Sequence, residues 1–410
     1  MTESERKREY NKQRLKKNLI DSDAEVRVEK TRHPLLIVFI AAIMAGLIAA
    51  AIWYAGQVSS CPVNYSTVWE KELPGTGASL TFKGNIRFGN GLITYTKDGA
   101  EYTDGDGATV WQKSYQMNSP VCCVNGDYAV ITDLGGTTGC IFSNTECTGN
   151  ITSILPISEA KVSGKGVVFT VENDDGADFI NVYRKDGSAL DISVKSVTDG
   201  DGYPFSIAAS PSGSQLAASY IGFADGSITQ SVVFRNFGDV GQNDARRVVG
   251  GFIDEFNGHI VTRVSFPTET CALAYYDGGV VIFSTKVLNS PEIVKNISFE
   301  DEMLSVCDCS AGFAVVFADT QGEYPKRLEI YDLSGSLKGS AGFDLSYDNV
   351  SMSSQNVIVN SQDHILAFTL KGRPAADLSY NGRILYAAGT SRLREFIISE
   401  SGHLSRIKAE

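Results

Sequence analysis

The sequence predicts an all-β chain: an eight-bladed β-propeller of four-stranded blades, closed by its own N-terminal strand and preceded by one transmembrane helix. Three observations carry this. Leu35–Gly56 is a single apolar run without charge or proline. From Thr67 onward, short runs rich in β-branched and aromatic residues recur between Gly, Asn-Gly, Asp-Gly and Ser-Gly breaks; such runs at period two are antiparallel strands in hairpins. The strands group into units of roughly 40–45 residues, the length of a four-stranded blade.

Taken in order, the chain starts with a polar tail, 1–33, holding ten Lys/Arg and seven Asp/Glu. Ser4–Ile20 suits a loose helix with few apolar contacts, and the tail reads as a topology signal rather than a docking segment. The 22 residues of Leu35–Gly56 would make a helix of about 33 Å, against a hydrocarbon core of about 30 Å. Cations before the first span keep the N-terminus in the cytoplasm. The expected division is therefore a cytoplasmic tail at 1–33, a transmembrane helix at 34–56, a stalk at 57–66 and an extracytoplasmic propeller at 67–410. Trp53 and Tyr54 fit an interfacial aromatic belt. The rival reading is a cleaved, lipidated lipoprotein at Val58-Ser59-Ser60-Cys61, although lipoboxes close a shorter run directly.

Beyond the span there are 26 basic and 41 acidic residues, a balance of about −15. An acidic surface repels phosphate backbones, which argues against nucleic acid as a partner.

The expected units are 78–115, 117–155, 156–198, 203–250, 252–300, 302–344, 346–379 and 381–408. Seven blades is the alternative count, because the fourth and fifth units are stretched. The last unit supplies three strands only. Its fourth is expected at Thr67–Leu73, whose Val68-Trp69-Glu70-Lys71 matches Val110-Trp111-Gln112-Lys113 on the outer strand of the first unit. That pairing joins the two ends of the chain and removes two free edges.

Tyr102-Thr103-Asp104-Gly105-Asp106-Gly107-Ala108-Thr109-Val110-Trp111 resembles the quinoprotein-type repeat, in which an Asp-x-x-Gly turn leads into a strand ending in Trp. Residues 67–408 resemble bacterial membrane-anchored, quinoprotein-like or WD40-like propellers of unknown function. In its repeat the chain is also similar to the propeller lipoprotein of outer-membrane barrel assembly. The resemblance gives the adjacent pair Cys122-Cys123 one meaning: quinoprotein alcohol dehydrogenases hold a vicinal disulfide against their quinone. Those enzymes also bring calcium ligands that no stretch of this chain matches, so no catalytic residue and no cofactor are carried over. Read from the strand itself, one cysteine of the pair packs in the blade and the other faces the neighbouring layer.

All eight cysteines lie beyond the span, where disulfides are permitted. A two-residue turn at Ser143-Asn144 would set Cys140 opposite Cys147, with Cα atoms about 4.5 Å apart in a non-hydrogen-bonded pair. These are the disulfide candidates. His259, His364 and His403 stand apart, without the spacing of a zinc site. Asp104–Gly107, Asp174–Gly176 and Asp199–Gly202 lack the further ligands of a calcium loop and read as hairpin turns. The Asn64, Asn150, Asn296 and Asn349 sequons matter only in a glycosylating host.

These features favour a non-catalytic module, held at the membrane, that binds a protein or cell-envelope component through its loops. The enlarged loops at Asp199–Pro204, Phe223–Ser227 and Gly238–Arg247 are the expected contact surface. The alternative is a quinone-dependent or other enzyme working in the central channel.

Overall fold

The computed structural model describes residues 3–22, 43–48, 61–73, 83–224 and 226–410. They fall in two units, Met1–Ser60 and Cys61–Glu410. In the first, α1 (Glu3–Ser22) covers the expected tail helix, with Tyr10 and Leu15 exposed. Among the described residues no helix is long and apolar enough to cross a membrane. Apart from a helical stretch at 43–48, the expected span lies outside those residues.

The second unit is built from eight four-stranded antiparallel sheets. The first strand, β1 (Tyr65–Glu72), is set aside for closure. Blades one to seven are then β2–β5 (83–114), β6–β9 (120–152), β10–β13 (157–197), β14–β17 (203–252), β18–β21 (261–298), β22–β25 (303–343) and β26–β29 (349–379). Blade eight takes β30–β32 (386–409) and adds β1 as its outer strand. The count is eight, and each blade lies in its expected unit except that blade four runs on to Phe252, past 250, and blade eight to Ala409, past 408.

The first strands of neighbouring blades lie against one another around the ring, from β2 against β6 to β30 against β2, so they form its innermost layer. The second strands explain why many runs are continuously apolar. In β23 (Gly312–Ala318) every residue but the last is buried. Phe313, Val315 and Phe317 pack towards blade five with Leu273 and Tyr275. Ala314 and Val316 pack towards blade seven with Val357 and Val359. Each blade is thus buried on both faces, and successive side chains of one strand serve two different seams.

Closure rests on β1. It pairs antiparallel with β32 (His403–Ala409), from Tyr65 opposite Ala409 to Glu72 opposite His403. The register slips between Thr67 and Trp69, as it does between Thr109 and Trp111 in blade one. The matching tetrapeptides therefore occupy matching places. From blade eight, the Trp69 indole N–H donates to the Gly105 carbonyl at 2.9 Å, and Arg406 Nη1 donates to the same oxygen at 2.7 Å. The Trp69 ring covers Gly107, which holds φ +89°; a β-carbon there would meet the ring at 3.0 Å, so this seam needs glycine. Lys71 Nζ lies 2.6 Å from the buried Glu101 carboxylate of blade one.

Two outcomes are expected. Trp69→Ala should cost about 2–3 kcal/mol, somewhat less than a fully buried Trp because the side chain is only half-buried. Val68→Ala, at a side chain 51 % exposed, should stay within about 0.5 kcal/mol. Denaturant unfolding measures both, and equal midpoints for the two variants would remove the closure argument. Burial alone would raise the Glu101 carboxyl, but Lys71, Thr109 and Thr103 outweigh it and hold it below its usual range. A depressed carboxyl contributes stability above its unfolded pKa, and that contribution is lost as pH falls through the folded value. The melting-temperature gap between wild type and Lys71→Ala should therefore be widest near neutrality and narrow below about pH 4.

Candidate interaction surface

Antiparallel order puts the loops of each blade at two ends of the ring. One end gathers the connections between blades together with the turns between second and third strands. Blade four is enlarged there. Its middle strands, β15 (Gln215–Ala224) and β16 (Ser227–Asn236), run ten residues each. Near the tip of their hairpin Phe223 pairs with Ile228, and the two are 77 % and 48 % exposed. Val197, Ile253 and Ile260, from the connections on either side of this blade, are exposed large apolar residues at the same end. Cross-strand apolar pairs are ordinarily turned to a core; here one is turned to solvent beside others of its kind.

Two of the three expected loop stretches meet. Asp201 accepts a hydrogen bond from Arg246 Nη1 at 2.6 Å and another from the Val197 amide at 3.1 Å, which ties Asp199–Pro204 to Gly238–Arg247. The third, at Phe223–Ser227, is the hairpin tip. Ile253 and Ile260 were missed by sequence reasoning. Their signal was available as bulky aliphatic residues inside a polar connection, where nothing in the blade pattern requires them.

The cysteines resolve differently from their expectations. Cys122 and Cys123 are consecutive in β6 (Pro120–Asn125) and point to opposite faces. Cys122 joins Trp111 and Phe142 in the seam with blade one, and Cys123 joins the seam with blade three beside Val130. This is the strand-alternation reading, and an extended strand cannot present both sulfurs on one side for a vicinal disulfide.

For Cys140 and Cys147 the expected register is corrected. Cys140 pairs with Asn150 and Cys147 with Phe142, because a bulge falls between Ile141 and Phe142. The turn is also longer, with the Ser143 amide donating to the Glu146 carbonyl. The bulge nevertheless returns both side chains to one seam, where they are free thiols, Cys140 Sγ donating to Asn150 Oδ1 at 3.5 Å and Cys147 Sγ to the Gly149 carbonyl at 3.8 Å. The neighbouring Cys140 lowers the Cys147 thiol below its ordinary value against the effect of burial, with Lys113 adding to the fall, and Cys147 in turn raises Cys140.

The quinoprotein-like segment is a capped turn. Asp104 Oδ1 accepts the amides of Asp106 and Ala108, both at 2.9 Å. Asp332 does the same for Ser334 and Ser336, and Thr369 Oγ1 for Lys371 and Arg373. These side chains are occupied in stabilising hairpins. Among the described residues no cluster of three His, Cys, Asp or Glu side chains is placed to hold a metal ion.

Fold and surface together define an eight-bladed propeller elaborated on one side of its ring. Residues 63–409 match the model of a family of unknown function, DUF5711, and the chain belongs to that family. No curated protein matches its sequence. Among solved structures it is similar to Sqt1 from Chaetomium thermophilum, at 11 % identity and a TM-score of 0.54 over 85 % of this chain and 100 % of that one. It is similar to the same protein bound to the N-terminus of ribosomal protein L10, at 12 % identity and a TM-score of 0.50 over 80 % and 92 %. The WD40 domain of Pan2 from Neurospora crassa follows at 11 % identity and a TM-score of 0.44, over 84 % and 95 %. The two Sqt1 likenesses show the fold.

Alkylation followed by peptide mapping tests the thiol pair. Cys147 should react with iodoacetamide at lower pH than Cys140 or the fully buried Cys122. Replacing Cys140 with Ala removes the first cause of the lowered Cys147 thiol and should shift its rate profile to higher pH. An unmoved profile would mean the pair is not coupled.

Proposed function

We propose that this protein is a membrane-anchored, extracytoplasmic propeller that binds another protein, or a protein component of the cell envelope, without catalysing a reaction on it. One observation carries the reading: the apolar group of Phe223, Ile228, Val197, Ile253 and Ile260 at one end of blade four. An exposed apolar patch in an otherwise charged surface marks an interaction site, and Phe at its most exposed point is a suitable anchor. The acidic balance of about −15 beyond Gly56 favours a partner whose rim is basic. The Sqt1 complex with the N-terminus of ribosomal protein L10 is an instance of this fold holding a protein segment.

The anchor follows from Leu35–Gly56 and the cations before it. In an oxidising compartment Cys140 and Cys147 would be joined as a disulfide, which their shared seam accommodates.

The test is photo-crosslinking in intact cells of the full-length chain. A crosslinker in place of Ile228 should give a discrete protein adduct, and one in place of Leu337, an exposed residue of blade six, should not. Phe223→Asp should abolish the adduct with little change in melting temperature, since the side chain is 77 % exposed. Adducts of equal yield from both positions, or an adduct indifferent to Phe223→Asp, would overturn the proposal.

A further inference from the structure

The eight innermost strands surround the axial channel, and their charges run against those of the domain. Among the side chains described there, Arg87, Lys161 and Arg263 stand against only Glu159 and Asp308. Two of the cations are satisfied. Lys161 Nζ lies 2.9 Å from Glu159, and Arg263 Nη2 lies 2.5 Å from Asp308. The Arg263 side chain is 43 % exposed although it lies in the innermost layer. It also interacts with Lys161 two blades away. A side chain that is wet yet enclosed belongs to a narrow aqueous channel.

Arg87 is the exception. It sits at the inner end of β2 (Lys83–Phe88), and its one hydrogen bond from the side chain, Nε to the Gly89 carbonyl at 3.2 Å, leaves the terminal nitrogens free of any carboxylate among the described residues. It interacts with Cys309 of blade six, on the far side of blades seven and eight, and with Tyr386 of blade eight. Burial pulls its pKa down, the mark of a cation that has lost water without gaining a counter-charge. The Tyr386 oxygen accepts the Arg87 amide at 3.4 Å, which leaves the phenol proton available as a donor. Cys309 is raised by burial and stays a neutral thiol. Arg87, Lys161 and Arg263 against Glu159 and Asp308 leave one positive charge unmatched.

The mouth above this belt is apolar. Four consecutive inner strands, β10 (Ile157–Val162), β14 (Tyr203–Ala209), β18 (Val261–Thr268) and β22 (Met303–Cys309), carry a register slip at the same place near their start. A bulge re-aims the extra side chain out of the sheet. In blades four and six that residue is Phe205 and Leu304, 46 % and 41 % exposed, and in blade two Val121 of β6 is 47 % exposed. Inner strands are flanked by blades on both sides, so side chains open to solvent there open at the channel mouth. Arg87 stands about three residues further along its strand than this rim, roughly 10 Å.

We propose that the axial channel binds an amphipathic monocarboxylate, its apolar body against Val121, Phe205 and Leu304 and its carboxylate on Arg87. One unmatched charge calls for a monoanion, the guanidinium fork matches the two oxygens of a carboxylate, and the rim excludes an acid with no apolar body. The site shares an end of the ring with the blade-four surface, since Phe205 follows directly on Asp199–Pro204, but it uses inner-strand side chains rather than the Phe223–Ile228 hairpin and does not depend on the protein-binding reading.

The probe is 4-phenylbutyrate, titrated calorimetrically into the full-length chain in lipid nanodiscs, with empty nanodiscs subtracted. Saturable one-to-one binding is expected. Acetate, which lacks the apolar body, and 4-phenylbutylamine, which reverses the charge, should bind at least about tenfold more weakly. Arg87→Gln should weaken 4-phenylbutyrate about tenfold or more, the loss of a charged hydrogen-bond pair, and Arg87→Lys should retain part of the affinity. Phe205→Ser, on a different strand, should weaken it independently. Absence of saturable binding, equal binding of the amine, or a dissociation constant unmoved by Arg87→Gln and Phe205→Ser would overturn the proposal.

Discussion

Everything in the propeller depends on one carbonyl oxygen being reached from the far end of the chain. Gly105 of blade one accepts hydrogen bonds from Trp69 and Arg406 of blade eight, so residues separated by 301 positions meet. A ring of sheets has no other way to end: left open, it presents two apolar faces and an unpaired strand edge. Drawing the outer strand of blade eight from the N-terminus and the other three from the C-terminus makes closure a matter of strand pairing. The seam is then held by the ion pair of Lys71 with the buried Glu101 and by a ring packed on a turn glycine.

The same device is used once more, with different chemistry. Thr67-Val68-Trp69-Glu70-Lys71 and Thr109-Val110-Trp111-Gln112-Lys113 are outer strands in one register, bulge included. Each tryptophan reaches the following blade, Trp111 stacking on Phe142 at 4.3 Å and donating to the Ser143 carbonyl. Each lysine follows. Lys71 meets Glu101 and Thr109. In blade two, the positions equivalent to Glu101 and Thr109 by strand register are Cys140 and Cys147, and Lys113 acts on those thiols. A carboxylate and hydroxyl under a lysine in one seam become two thiols under a lysine in the next. Lys113 favours a thiolate where Lys71 favours a carboxylate, and it acts on both thiols, while the two cysteines acting on each other set Cys147 low and Cys140 high.

This repetition also shows where the sequence was legible. Blade number and the closing strand could be read because each is written as a local pattern: turn residues at regular spacing, and a tetrapeptide repeated 42 positions apart. The Cys140–Cys147 register could not, because a bulge between Ile141 and Phe142 leaves no residue signature and moves every later pairing by one place. The axial charges were hidden for a different reason. Arg87, Lys161 and Arg263 are ordinary basic residues in a line of sequence, and become a group only once β2, β10 and β18 are known to be innermost. The enlarged loops fell between these cases: their lengths were visible, but the tie between Asp201 and Arg246 was not.

A closed ring whose blades are buried on both faces has little free surface with which to recognise anything. Its seams are dry, and its outer strands are polar and alternate with the solvent, as in β13 (Ala189–Val197), where two of nine residues are buried. What remains are the two ends and the axis. At one end the blade-four hairpin adds apolar area of the size and shape that suits a partner surface. Along the axis, the innermost strands hold an excess of cations in a domain with an excess of anions. An acidic exterior surrounds an inner layer whose charge balance has the opposite sign, with the apolar rim roughly 10 Å from Arg87. A free anion is discouraged until it enters, and one carrying an apolar group has the rim to hold it while its charge crosses. The two regions thus differ in the sign of charge they prefer, one built on the tip of the blade-four hairpin and the other on the inner strands.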